Sequence, residues 1–193
     1  MGRRVVLLAC IAALAACDKG PEINVKNASV GEVAEKVRDA QAGGMFIKPG
    51  RWESKVSVLD VQMPGMPPQM ADRIKQTMAT VNERDTTATC LSEADAKKPR
   101  EDFFAGKSKN CRYDHFTMSG GKIDAAMTCS GERGTSMSMT MTGTYSPDHY
   151  EGDMAMDMAG PEGRSMKMKS HSVSNLVGQC RGDEINLDKG AKS

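Results

Sequence analysis

Methionine alternates with small or polar residues in three consecutive segments of this chain, and that alternation limits the fold more than any other feature. Met137, Met139 and Met141 are separated by Ser138 and Thr140, Met154, Met156 and Met158 by Ala155 and Asp157, and Met166 and Met168 by Lys167. A period of two sends successive side chains to opposite faces of a strand, whereas a helix needs a period near 3.6. Three such segments in a row, separated by turn residues, read as an antiparallel meander. With the strands in register, all eight thioethers share one face. Asp153, Asp157, Lys167 and Lys169 then share the other, where opposite charges pair across strands.

The punctuation agrees. Ser119-Gly120-Gly121 separates strands expected at 111–118 and 122–129. Turn clusters at 130–134, 146–148 and 159–163 separate strands expected at 135–145, 149–158 and 164–174. Upstream, 51–61 reads as a strand with Trp52, Ser54, Val56 and Val58 on one face and Glu53, Lys55 and Ser57 on the other. Trp52 is expected to anchor a core. Thr86 to Leu91 is β-prone, and the proline-rich tract Met63 to Pro68 must be a loop.

Three helices are expected. Ser29 and Glu32 form a capping-box pattern ahead of Val30, Val33, Ala34 and Val37, and Gly43-Gly44 ends that helix. Met70, Ile74, Met78 and Val81 recur at helical spacing over 69–81. Ser92 and Asp95 cap a short helix that stops before Pro99. The expected architecture is α+β: a curved antiparallel sheet, a meander of about six or seven strands, with two or three helices packed on it. The 69–81 helix is expected to cover the methionines, since an unbranched thioether side chain fills such a face without strict shape demands.

The N-terminus carries an address. Arg3 and Arg4 precede an apolar run from Val5 to Ala16, too short to span a bilayer and of the length of a signal-peptide core. Leu14-Ala15-Ala16-Cys17 resembles a lipobox. That resemblance implies cleavage after Ala16 and lipid attachment at Cys17, so that the membrane is a partner. Two acyl chains give stable anchoring. Residues 1–16 are thus expected to be a lipoprotein signal peptide, Cys17 the anchor and 18–28 a tether. Residues 29–181 form a single domain and 182–193 a disordered tail. The chain would then face the periplasm in a bacterial cell envelope, with Asp18 favouring the inner membrane by analogy with enteric bacteria.

Cysteine usage fits an oxidising compartment. Cys10 leaves with the leader and Cys17 carries lipid, so Cys90, Cys111, Cys129 and Cys180 remain, an even set that reads as two disulfides. Because sequence neighbours are often spatial neighbours, Cys90–Cys111 and Cys129–Cys180 are the favoured pairs. No close Cys pair of zinc-site spacing occurs.

Composition narrows the partners. Loss of Arg3 and Arg4 from 26 Lys and Arg leaves the chain near neutral against its 25 Asp and Glu, so there is no basic excess to hold nucleic acid. Envelope proteins or lipid are the expected partners. No nucleophile elbow, zincin or phosphate-loop motif is present, so no catalytic residue is assigned and a non-enzymatic binding module is expected. His115, His149 and His171 fall on separate strands and read as solvated. The acidic run Asp148, Glu151, Asp153 and Asp157 lacks calcium-loop spacing. Arg181-Gly182-Asp183 matches an adhesion tripeptide by letters only. No cofactor is favoured. The alternative is Cu(I), a soft ion that thioethers select, held by Met137, Met139, Met141, Met154, Met156, Met158, Met166 and Met168. A third use of the same face is apolar-ligand binding.

Several short pieces occur in a specific order: Pro49-Gly50-Arg51-Trp52-Glu53, Met63-Pro64-Gly65-Met66-Pro67, Cys90-Leu91-Ser92 with Asp95-Ala96, Cys111-Arg112-Tyr113, Cys129-Ser130-Gly131, and the Met-x-Met strands ending at Cys180. Over about residues 45–181 the chain resembles the bacterial domain-of-unknown-function family 3617, a family of small exported proteins. The resemblance implies four structural cysteines and an antiparallel sheet, and it brings no catalytic residues.

Overall fold

A computed structural model describes residues 22–42, 47–82, 86–97, 110–131, 134–161 and 164–185. The signal peptide, Cys10, Cys17, Asp18, Gly43-Gly44 and Pro99 lie outside these residues. Eight strands form one antiparallel sheet: β1 (Ile23–Ser29), β2 (Gly50–Gln62), β3 (Thr87–Leu91), β4 (Cys111–Ser119), β5 (Lys122–Ser130), β6 (Ser136–Ser146), β7 (His149–Ala159) and β8 (Ser165–Gly178). Three helices accompany them: α1 (Val30–Ala42), α2 (Pro68–Asn82) and α3 (Glu93–Lys97). The spatial order is β1-β4-β5-β6-β7-β8-β2-β3.

The meander β4 to β8 follows from its turns. Ser119 and Lys122 pair directly across a two-residue turn in which Gly120 and Gly121 both have positive φ, 57° and 74°. That geometry matches the twist of a hairpin and is costly for residues with a Cβ. Farther along, Gly143 and Gly152 pair across β6 and β7, and a Cβ on Gly143 would lie 2.4 Å from the Glu151 carbonyl oxygen. The Tyr150 hydroxyl occupies the space a Gly152 side chain would take. The two backbones therefore approach closely at this point.

The helix starts are as the sequence predicts. The Ser29 amide donates to Glu32 Oε2 at 2.6 Å and the Glu32 amide donates to Ser29 Oγ at 3.2 Å, a reciprocal capping box. At α3, the Asp95 amide donates to Ser92 Oγ at 3.1 Å. Val33, Ala34 and Val37 of α1 are fully buried. Val33 and Val37 belong to the core cluster with Tyr113 and Phe116 of β4, whose rings meet edge to face at 5.3 Å. Such a pair adds about 0.5–1.5 kcal/mol beyond area burial.

α1 packs on β1 and β4 at one side of the sheet, yet it also touches α3, which follows the opposite edge strand β3. Seven strand spacings separate β1 from β3, roughly 34 Å in a flat sheet. A helix of 13 residues is only about 20 Å long. The sheet must therefore curl around its helix-bearing face.

Four expectations are corrected. The sheet has eight strands, because residues 23–28, read as tether, form most of β1. Ile23 and Ala28 are buried there, and Asn27, with a φ of 50°, interrupts a pairing with β4 that resumes in the same register at Ala28 and Ser29. The disulfides join Cys111 to Cys129 and Cys90 to Cys180. Cys111 and Cys129 sit directly opposite on β4 and β5, which forbids the sequential pairing. Cys90 pairs with Arg51 of β2, whose other neighbour is Gly178 of β8, so Cys180 arrives beside Cys90. Next, α2 packs chiefly on β2 rather than over the methionine strands, since only a tight turn at 63–66 separates it from that strand. Its Met70 is exposed.

Finally, the chain after Cys180 is structured as far as Ile185. It bridges to Thr89 of β3 in parallel, with the Ile185 amide donating to the Ala88 carbonyl at 2.9 Å, and so covers part of an open sheet edge. Residues 186–193 lie outside the described residues.

Candidate functional site

Register turns the methionine alternation into a two-dimensional array. Met137 faces Met158, Met139 faces Met156, and Met141 faces Met154 across β6 and β7. Met156 faces Met168 and Met158 faces Met166 across β7 and β8. Directly opposed residues on one face have Cβ atoms about 4.5–5.5 Å apart, so neighbouring thioether side chains touch. All eight share one face, as the period of two predicts, and all eight are half-buried.

One row runs Met127, Met139, Met156, Met168, Val61 across five strands. Its two ends are buried, Met127 in the α1 core and Val61 beside Met63 near α2, while its three central methionines are partly exposed. The array is therefore a floor of partly exposed thioethers flanked along the sheet by buried residues on either side. Met137, Met139 and Met141 also pack against the core cluster, so the floor is continuous with it. Toward β2 the same face becomes hydroxyl-lined, with Ser54 and Ser174 hydrogen-bonded at 2.6 Å.

The opposite face is polar and paired. Lys167 and Asp157, directly opposed, form an ion pair at 2.9 Å, as alternation predicts. His115 Nε2 lies 3.0 Å from Asp124. His149 and His171, on separate strands as expected and joined by no sequence pattern, are both brought to Glu151 by the β7–β8 register. His171 Nε2 lies 3.4 Å and His149 Nε2 3.7 Å from its carboxylate. Among the described residues, no group of three or more His, Cys, Asp or Glu side chains is placed to hold a metal ion.

A third cluster lies at the end of β2. The Arg51 guanidinium, largely buried, meets Asp183 at 2.6 Å, Glu184 at 2.9 Å and Glu53 at 3.3 Å. Glu184 also accepts from the Arg181 and Gly182 amides, each at 2.7 Å. The Arg181 amide bond, then those of its own and the Gly182 amide, and the Arg51 pairing hold the Glu184 carboxyl down to about 2 against the opposing effect of burial. The same pairing raises the Arg51 pKa further above its already high ordinary value. The letters Arg181-Gly182-Asp183 thus belong to a structural lock. Sequence offered no signal for it, because its partner Arg51 is remote.

Comparison with protein families places one match over residues 47–180, to the model described as Protein of unknown function (DUF3617). The chain belongs to the DUF3617 family. The matched segment covers β2 through β8 and all four disulfide cysteines, so the methionine floor is DUF3617 structure, while β1 and α1 precede it. No curated protein and no solved structure matches this DUF3617 chain.

Proposed function

We propose that the protein is a non-enzymatic binding module of the bacterial cell envelope and that the methionine floor is its binding surface, suited to an apolar ligand. One observation carries this reading: eight half-buried thioethers lie in register on one face of the sheet, flanked by buried residues. Such a face is apolar without being closed, and unbranched methionine side chains adapt to varied shapes. The lipobox-like Cys17 supports a lipid anchor at a membrane, with the domain on the periplasmic side and Asp18 favouring the inner membrane. It also supplies a reason for lipid or envelope proteins as partners.

Native mass spectrometry of the chain beginning at Asp18, followed by titration with lauric acid, tests the surface. With 13C-methyl methionine labels, the floor resonances should shift while those of Met118 and Met127 stay in place. Absence of a shift at every floor methionine rules the surface out. Labelled palmitate tests the anchor: label should be present on the wild type and absent from Cys17→Ala.

A second reading uses the same array. Met139, Met156 and Met168 stand in one row, and Met137, Met158 and Met166 in the next. Clustered thioethers suit Cu(I). A competition titration with Cu(I) separates the two uses, since lack of even micromolar binding removes the metal reading and leaves the apolar one.

A further inference from the structure

The methionines do not fill their face of the sheet. Along β8 they give way to Ser170, Ser172 and Ser174, which parity places on the same side as Met166 and Met168. Ser170 stands opposite Met154 of β7 and Val58 of β2, and Ser172 opposite Gly152 and Val56. Tyr150 lies over Gly152, with its hydroxyl where a side chain of that glycine would begin. Three hydroxyls therefore collect at the end of the floor, next to the Met141 and Met154 pair. Ser170, shorter than its methionine and valine neighbours, lies at the foot of a recess and is only 6% exposed. Among the described residues, neither its hydroxyl nor that of Tyr150 has a hydrogen-bond partner. A buried hydroxyl left unpaired costs stability, and a folded protein keeps few of them. Burial, with Asp153 adding to it, raises the Tyr150 phenol above its ordinary pKa, so it stays protonated and able to donate. Beyond these, Ser54 and Ser174 bond each other, which leaves one hydroxyl proton of that pair to donate.

This face is also uncharged. Between Trp52 and Val61 of β2, and along β6, β7 and β8, every Asp, Glu, Lys, Arg and His falls on the opposite side. Asp72, Arg73 and Lys75 of α2, which packs on β2, are exposed to solvent. An ionised head group at the recess would lose hydration and gain no counter-charge. Resting on the reading of the floor as a binding surface, we infer that its ligand is an uncharged amphiphile of the monoacylglycerol class, with the alkyl chain on the methionines and the ester and hydroxyl groups bonded to Ser170, Tyr150 and Ser172. An ester carbonyl accepts from these hydroxyls, and a glycerol hydroxyl both donates and accepts. From Met137 to Met141 the floor runs about 14 Å along the strand, the length of an extended dodecyl chain. Apolar lining with a few placed polar groups is the usual make-up of a small-molecule site.

The test compares 1-monolauroylglycerol, laurate and dodecyltrimethylammonium, each below its micelle concentration and at neutral pH. The chain beginning at Asp18 is used, which keeps every described strand and helix. Calorimetry gives the affinities, and 13C-methyl methionine labels report the site. All three should shift the floor resonances, with monolauroylglycerol bound at least about 10-fold tighter than either ion. Ser170→Ala and Tyr150→Phe should each weaken monolauroylglycerol by about 2–10-fold, the worth of one hydrogen bond. Ser138→Ala, on the opposite face, should bind as the wild type does. Because the Ser170 hydroxyl has no partner in the free protein, Ser170→Ala should leave the urea midpoint unchanged or raise it. Equal affinity for the three heads, with the floor still shifting, overturns the head-group assignment and leaves the floor standing. This comparison needs no variant. A lowered midpoint in Ser170→Ala, or undiminished binding in both recess variants, overturns the assignment as well. No shift with any of the three amphiphiles removes the floor itself.

Discussion

Arg51 and Glu184 are 133 residues apart in sequence and 2.9 Å apart in space. The pair closes the end of β2 under the C-terminal segment, and both partners are shielded, with side-chain exposures of 10% and 2%. This contact ties the last described residues to the sheet and has a consequence for pH.

In the folded chain the Glu184 carboxyl ionises at about 2, against an ordinary value of 4.5. The folded state therefore holds the proton less tightly than the unfolded state. The stabilisation is fully present above about pH 4.5 and is lost as the pH falls toward 2. Glu32 and Asp148, also lowered, act in the same direction. The melting temperature of the wild type, followed by circular dichroism, should fall across this window. Glu184→Gln should melt lower at neutral pH and show a flatter acid limb. An unchanged acid limb in that variant refutes the assignment.

The two disulfides should differ in weight. The Cys90–Cys180 bridge closes a separation of 90 residues and the Cys111–Cys129 bridge one of 18. By chain entropy the first contributes about 4–5 kcal/mol and the second about 3 kcal/mol. Denaturant midpoints of Cys90→Ser/Cys180→Ser and Cys111→Ser/Cys129→Ser double variants should rank in that order. A non-reducing peptide map should recover the two linked pairs directly.

Methionine oxidation should follow the floor. Met118 and Met127 are buried in the α1 core, whereas the eight floor methionines are half-exposed. Under mild peroxide, peptide mapping should find sulfoxide first at Met137, Met139, Met141, Met154, Met156, Met158, Met166 and Met168. Equal rates at Met127 would mean that the floor is no more open than the core.

Helix α1 should be a source of stability. Removing the Phe116 ring that packs with Val33 and Val37 should cost about 3–5 kcal/mol. Ser29→Ala removes one half of the capping box, at about 1 kcal/mol. Urea unfolding of the two variants tests this ranking, and equal costs would contradict the packing.

The legible features are those written in local periods and local hydrogen bonds. The Met137 to Met168 alternation determined three strands and a shared thioether face, because side-chain direction along a strand depends only on parity. Ser29 with Glu32, and Ser92 with Asp95, determined two helix starts, because a cap bonds within its own first turn. Gly120-Gly121 determined a hairpin, because that turn needs positive φ twice. Tertiary structure alone decided which strands are neighbours. The order β8-β2-β3 brings Cys180 to Cys90 and Arg51 to Glu184, and the pairing of β7 with β8 brings His149 and His171 to one carboxylate. It also left the methionine floor partly open, because α2 lies against β2. None of these contacts has a local signature, since each is set by how a curled eight-stranded sheet satisfies its hydrogen bonds and buries α1.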